Sequence, residues 1–219
     1  MLRYALNNSK KILGLILVNA CCTRAGWIEW GYQKININYL KSRGMTPFTV
    51  DYLMWHHFGR SLNELSSDII RQYRAYFSNH PNPRNLALFM ESYLNRTEVI
   101  LRDDQSITPH LLDVSVLQMV GAGSPFVDDT LTVSSRLDIT KSEWAKIRGS
   151  CGLILDENPE SVTEMILLFM QGFGLFVHLD VNQCVKNLRR ARDFQQHGAC
   201  ATSAAVKMSE LAGCDEAVM

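Results

Sequence analysis

Val114–Pro125 reads VSVLQMVGAGSP, and the architecture turns on it. Val114 to Val120 is apolar enough for a buried strand, and the run stops at Gly121, Ala122, Gly123, Ser124 and Pro125, residues that turn a chain. A helix is predicted next, from Val127 to Arg136, then a strand from Trp144 to Ile147. Strand, helix and strand in that order make a βαβ unit and imply a parallel sheet. Working backward, Arg3 to Asn7 has the look of a helix end. Ile12 to Val18 is almost continuously apolar, as suits a strand buried on both faces of such a sheet.

Between these strands lies a long helical insertion, about 24–110. Thr46-Pro47 and Asn82-Pro83 each put an N-cap residue before a proline at the first helical position, where the missing N–H costs nothing. Ser61 with Glu64 has capping-box spacing. The predicted helices are Pro47 to Phe58, Leu62 to Phe77 and Pro83 to Leu94, with Gly59 as a C-terminal stop. Ahead of them, Gly26 to Tyr32 concentrates aromatics, and a short helix across the sheet's edge is expected there. Downstream, Thr97 to Asp113 is polar and turn-like, and Gly149 to Asn158 reads as a loop. Asn158-Pro159-Glu160 opens an amphipathic helix with the stripe Val162, Met165, Ile166, Phe169 and Met170, ending at Gly172 and Gly174. Beyond Phe176 the pattern loosens. Lys186, Arg189, Arg190 and Arg192 suit a short basic helix, and 198–219 reads as disordered. The expected organisation is one domain over 1–176 and a tail over 177–219.

Composition narrows the function classes. With 219 residues, 47% of them hydrophobic, the chain has the make-up of one ordinary soluble domain. Lysine plus arginine equals aspartate plus glutamate at 22 each, so no overall field draws it to nucleic acid. The longest apolar run, Ile12 to Ala20, is broken by Gly14 and Asn19 and is shorter than the roughly 20 residues of a transmembrane helix. Arg3, Lys10 and Lys11 ahead of it faintly imitate a signal peptide, but no convincing cleavage site follows, and a cytoplasmic location is expected. Cys21, Cys22, Cys151, Cys184, Cys200 and Cys214 lack CxxC pairing, and no histidine stands at ligand spacing from them. Reduced thiols, no metal site and no cofactor are expected.

The element order is that of the second half of an α/β-hydrolase, with the insertion as its cap. Such an enzyme needs a serine on a strand-to-helix elbow, an acid after a later strand and a histidine after the last strand. No G-x-S-x-G occurs, and the elbow is expected before Met1. Asp128 or Asp129 stands at the acid position, although two aspartates opening a helix serve more often as dipole-stabilising residues. The histidine turn corresponds to Cys151-Gly152-Leu153, and a leucine side chain cannot accept a proton. His56 and His57, adjacent on a helix, point about 100° apart and do not converge on one atom.

The stretches GWIEWGYQK (26–34), DYLMWHHFG (51–59), NPRNLAL (82–88), VGAGSPFVDDT (120–130), SRLDIT (135–140) and 151–174 resemble the N-myc downstream-regulated (NDRG) family, in its invertebrate branch. The resemblance covers nearly all of 3–174. It implies an α/β-hydrolase-like fold without hydrolase activity, cytoplasmic, tied to signalling, stress response and differentiation through protein or lipid contacts. It also implies an N-terminal half with a glycine- and alanine-rich elbow. This chain lacks that half, so a fragment, short isoform or incomplete gene model is expected, marginally stable or aggregation-prone alone, with Leu15, Leu17 and Leu117 short of neighbours. The tail lacks the serine- and arginine-rich repeats of some members.

Three functional readings follow. The first is a non-catalytic interaction protein with Trp27, Trp30, Tyr32 and Trp55 as its contact surface, protein partners, and membrane-surface or lipid contact as a further option. The second is a hydrolase with an unrecognised base, for which His178 is the downstream choice. The third is a binder of a small apolar ligand in the relic pocket, made more apolar by Leu153.

Overall fold

The computed structural model describes residues 1–59, 67–79, 81–101 and 112–193. The chain divides into two compact units, Met1–Asn158 and one beginning at Pro159.

In the first unit, β1 (Gly14–Val18), β2 (Ser115–Gly121) and β3 (Ser142–Ile147) form a parallel sheet in the order β1-β2-β3. Leu15 lies opposite Val116, and Gln118 opposite Trp144. β2 is the middle strand and is buried from Val116 onward. β1 departs from the expectation of burial on both faces. Leu15 and Leu17 are buried, while Ile16 and Val18 are each 37% exposed. β1 pairs only with β2 in this sheet, and one of its faces packs in a core with Leu2 and Ala5 of α1 (Leu2–Asn7). That core also holds Val114, Val116, Val133 and Leu137.

The cap has a core of its own. Its helices are α2 (Trp27–Ser42), α3 (Pro47–Phe58), α4 (Ser67–Asn79) and α5 (Pro83–Leu94). α3 and α5 have the bounds that their caps predict. Thr46 Oγ1 accepts from Thr49 N at 3.2 Å, and Asn82 Oδ1 accepts from Arg84 N at 3.0 Å and Asn85 N at 3.1 Å. Each such cap stabilises its helix by about 1 kcal/mol. α4 agrees with the predicted second helix from residue 67 onward; the Ser61–Glu64 capping box lies outside the described residues. Ile37, Leu40, Leu53, Met54, Phe58, Phe77, Met90 and Leu94 meet in the cap core.

Two further elements differ from expectation. The aromatic stretch opens not a short helix on the sheet's edge but the 16-residue α2, which packs chiefly on α5. Its inward face is Gln33, Asn36, Ile37 and Leu40, and the two amides there conceal the helical period. The supposed loop before Pro159 contains a single helical turn, α7 (Ile154–Glu157). α6 (Val127–Ser135) joins β2 to β3, with Arg136 as its C-cap.

The second unit begins with α8 (Pro159–Gln171) and contains a further helix over 181–193, where the basic helix was predicted. Asp180 Oδ1 accepts from Gln183 N at 3.1 Å at its start, and Arg192 pairs with Glu160 at 3.0 Å. Residues 198–219 lie outside the described ones.

Candidate functional site

Open α/β sheets place their ligands at the carboxyl ends of their strands, and here three loops meet at those ends. Asn19, just past β1, has a φ of 50°, a conformation that asparagine tolerates better than most residues. Its Nδ2 donates to the Gly152 carbonyl at 2.6 Å, and its Oδ1 accepts from Ser124 Oγ at 3.1 Å. Ser124 Oγ in turn accepts from Phe126 N at 3.2 Å. One side chain thus ties the loops after β2 and β3 to the end of β1.

At the acid corner, Asp128 and Asp129 both lie in the first turn of α6. Asp128 is exposed and Asp129 half-buried. Asp129 Oδ1 accepts from Thr23 Oγ1 at 3.4 Å and Cys21 Sγ at 3.6 Å, both long contacts. Behind them the Arg96 guanidinium donates to Glu29 Oε2 at 3.1 Å and to the Thr23 carbonyl at 3.0 Å. It also lies 4.0 Å from the Tyr93 ring centroid. Sequence reasoning missed the Arg96–Glu29 pair. The partners are 67 residues apart, and Arg96 adjoins a stretch without periodicity.

The histidine corner is built differently. Leu153 packs against the cap core, as does buried Cys151. Glu157, buried on α7, accepts from Leu153 N at 3.0 Å and from Cys151 N. Gly152 has no room for a side chain, because a β-carbon there would stand 1.7 Å from the His57 carbonyl oxygen. The end of α3 therefore sits directly on this loop. α3 stops at Gly59, whose φ of 69° favours glycine and whose added β-carbon would lie 2.5 Å from the Gly123 carbonyl oxygen.

The two adjacent histidines meet different groups, with their ring centroids 5.7 Å apart. His57 Nδ1 bonds the Leu53 carbonyl at 2.7 Å. His56 sits among the rings of Tyr52, Tyr93 and Phe126, with centroids 5.7, 5.9 and 5.2 Å away. Burial pushes the His56 pKa down to about 4 and lowers that of His57 as well, so both rings are neutral near pH 7. Among the described residues no imidazole donates to Asp128 or Asp129. His178 belongs to the second unit.

The aromatic residues singled out in the sequence lie on the cap. Trp27, Tyr32 and Trp55 line one groove of about 890 Å³ with Ile28, Phe48 and Tyr52, and Trp27 is 89% exposed. Trp30 does not line it but meets Trp27 edge-on at 6.4 Å. Among the described residues no group of three or more His, Cys, Asp or Glu is placed to hold a metal ion, and no helix is long and apolar enough to cross a membrane.

Known proteins share this arrangement to different depths. The Staphylococcus aureus MenH structure superposes with a TM-score of 0.61 at 20% identity, over 79% of this chain and 64% of that one. A thermophilic esterase from Thermogutta terrifontis superposes at 0.62 with 16% identity, over 78% and 60%. At such identities the likeness concerns the α/β-hydrolase fold alone. Protein NDRG2 of Xenopus tropicalis is 31% identical over 192 residues, 87% of this chain and 49% of that protein. Protein NDRG3 of the same species is 31% identical over 183 residues, 82% and 46%. The chain spans about half the length of the curated relatives it matches. A family profile described as the Ndr family matches residues 1–177, which include the sheet, the cap and both corners of the site, and the chain belongs to that family.

Proposed function

We propose that this protein is not a catalyst but a cytoplasmic interaction protein, acting in signalling, stress response or differentiation through protein or lipid contacts. One observation carries the first half of that reading: the residue at the histidine position, Leu153, is packed into the cap core. A general base must reach the proton it abstracts and must be able to accept it. An aliphatic side chain does neither, and Asp129, the relic acid in this reading, is left serving Thr23 and Cys21.

The second half rests on the aromatic face. Trp27, Tyr32 and Trp55, with Trp30 beside them, offer large rigid apolar area of the kind that anchors partners. Two carboxylates border the groove, and each is answered by an arginine, Glu29 by Arg96 and Asp51 by Arg74. Burial of rings rather than net charge would supply affinity, which favours a protein segment with an apolar anchor. Quantitative affinity purification from cells comparing the wild type with a Trp27→Ser, Trp55→Ser double variant tests this. The reading expects a defined set of partners to be lost while circular dichroism stays unchanged. An identical partner set on both proteins refutes the assigned surface.

A further inference from the structure

A second cavity, of about 420 Å³, lies within the cap and is not the relic pocket. It is lined by residues of α2, α3, α4 and α5 and the turn at Pro81, and neither Leu153 nor Asp129 contributes to it. Its volume falls in the range of small-molecule sites. Most of its wall is apolar, from Leu53, Phe77, Leu86, Phe89 and Met90.

Its polar groups come from Gln33, Tyr52, His56, His57, Tyr76 and Tyr93. Gln33 is 1% exposed; its Nε2 donates to Glu29 Oε1 at 3.1 Å, while its Oε1 is buried without a hydrogen-bond partner. The Tyr52 hydroxyl is likewise buried, beside the Gln33 amide. A buried polar atom left unpaired is destabilising, so Gln33 Oε1 on the cavity wall is a deficit that a ligand can relieve. His57 also lines the cavity; with Nδ1 donating to the Leu53 carbonyl, its Nε2 is left as an acceptor in the neutral ring. The wall thus offers the acceptors Gln33 Oε1 and His57 Nε2, together with the His56 ring and the side chains of Tyr52, Tyr76 and Tyr93. It offers no charge. Glu29 is held by Arg96, and burial keeps both histidines neutral near pH 7.

We propose that the cap cavity binds a neutral single-chain amphiphile whose hydroxyl or amide head donates to Gln33 Oε1 and meets the Tyr52 hydroxyl, with its hydrocarbon among Leu86, Phe89 and Met90. A charged head would find no countercharge on this wall. A bare hydrocarbon would leave Gln33 Oε1 unpaired. This site shares the Tyr52 side chain with the Trp27–Trp55 groove and is otherwise lined by different residues.

The test is isothermal titration of the full chain with decanol, decane, decanoate and decylammonium at pH 7.5. Decanol is expected to bind at least tenfold more tightly than each of the other three. In Gln33→Leu that preference over decane collapses to near unity, and Tyr52→Phe weakens decanol severalfold with the fold intact by circular dichroism. Leu86→Trp, which fills the cavity, abolishes decanol binding. The proposal is overturned if the wild type binds none of the four, if decane or a charged probe matches decanol, or if Leu86→Trp binds decanol as the wild type does.

Discussion

The acid corner and the histidine corner stand at the ends of neighbouring strands, and they have been built in opposite ways. At the acid corner the surroundings are polar: Asp129 is met by Thr23 and Cys21, with the Arg96–Glu29 pair behind. At the histidine corner Cys151 and Leu153 belong to the cap's hydrophobic core, and the backbone of α3 rests on Gly152. The first corner retains groups able to take part in proton chemistry, whereas the second has become a packing joint between cap and sheet. What the contrast teaches is that, with Leu153 assigned to the histidine position as proposed above, that position serves core packing. Its side chain then matters to stability instead of to turnover.

The largest expected effect comes from adding one methyl group at the joint. Gly152→Ala places a β-carbon 1.7 Å from the His57 carbonyl oxygen, and neither backbone can give way cheaply. A loss above about 4 kcal/mol, measured by urea unfolding, is expected. A loss below about 1 kcal/mol would mean that α3 does not rest on this loop.

Next comes pH. Above the ordinary histidine value of about 6.5, His56 is neutral in both folded and unfolded chains, and its burial carries no proton-linked penalty. Below it the unfolded chain takes up a proton, while the folded chain does so only near 4. The stability present above about 6.5 therefore falls away between 6.5 and 4, by at most about 3 kcal/mol for this group, and His57 acts in the same direction. His56→Phe should flatten that slope. An unchanged slope would show that the ring is hydrated.

The two corners themselves are expected to answer substitution unequally. Leu153→Ala removes packing from the cap core and should cost about 1–2 kcal/mol, the side chain being partly rather than fully buried. Asp129→Asn alters two long, half-buried contacts and should cost less than about 0.5 kcal/mol. Equal losses at the two positions would erase the distinction drawn between them.

How much of this was legible in the sequence follows from how local each cause is. Thr46-Pro47 and Asn82-Pro83 announce α3 and α5 because a cap and its helix are adjacent in the chain. The strand–glycine loop–helix run announces β2 and α6 for the same reason. α2 was foreshortened because Gly31 interrupts it and two of its inward residues are amides, so neither propensity nor apolar spacing reports it. Leu153 is legible in the sequence as an aliphatic residue in the turn after β3 but not as a core residue, because its packing partners come from the cap helices. The seat of His57 on Gly152 joins residues far apart in sequence, and no spacing encodes such a contact. Nor did composition distinguish the orphaned Gln33 oxygen from ordinary surface polarity.

The most direct measurement is ester turnover. With a panel of short p-nitrophenyl esters at neutral pH, release of nitrophenol by the protein is predicted to equal that of the Asp129→Asn variant and of buffer with an inert protein. Turnover well above that background, lost on changing Asp129 or His56, would contradict the reading of Leu153 as the end of proton transfer at this site.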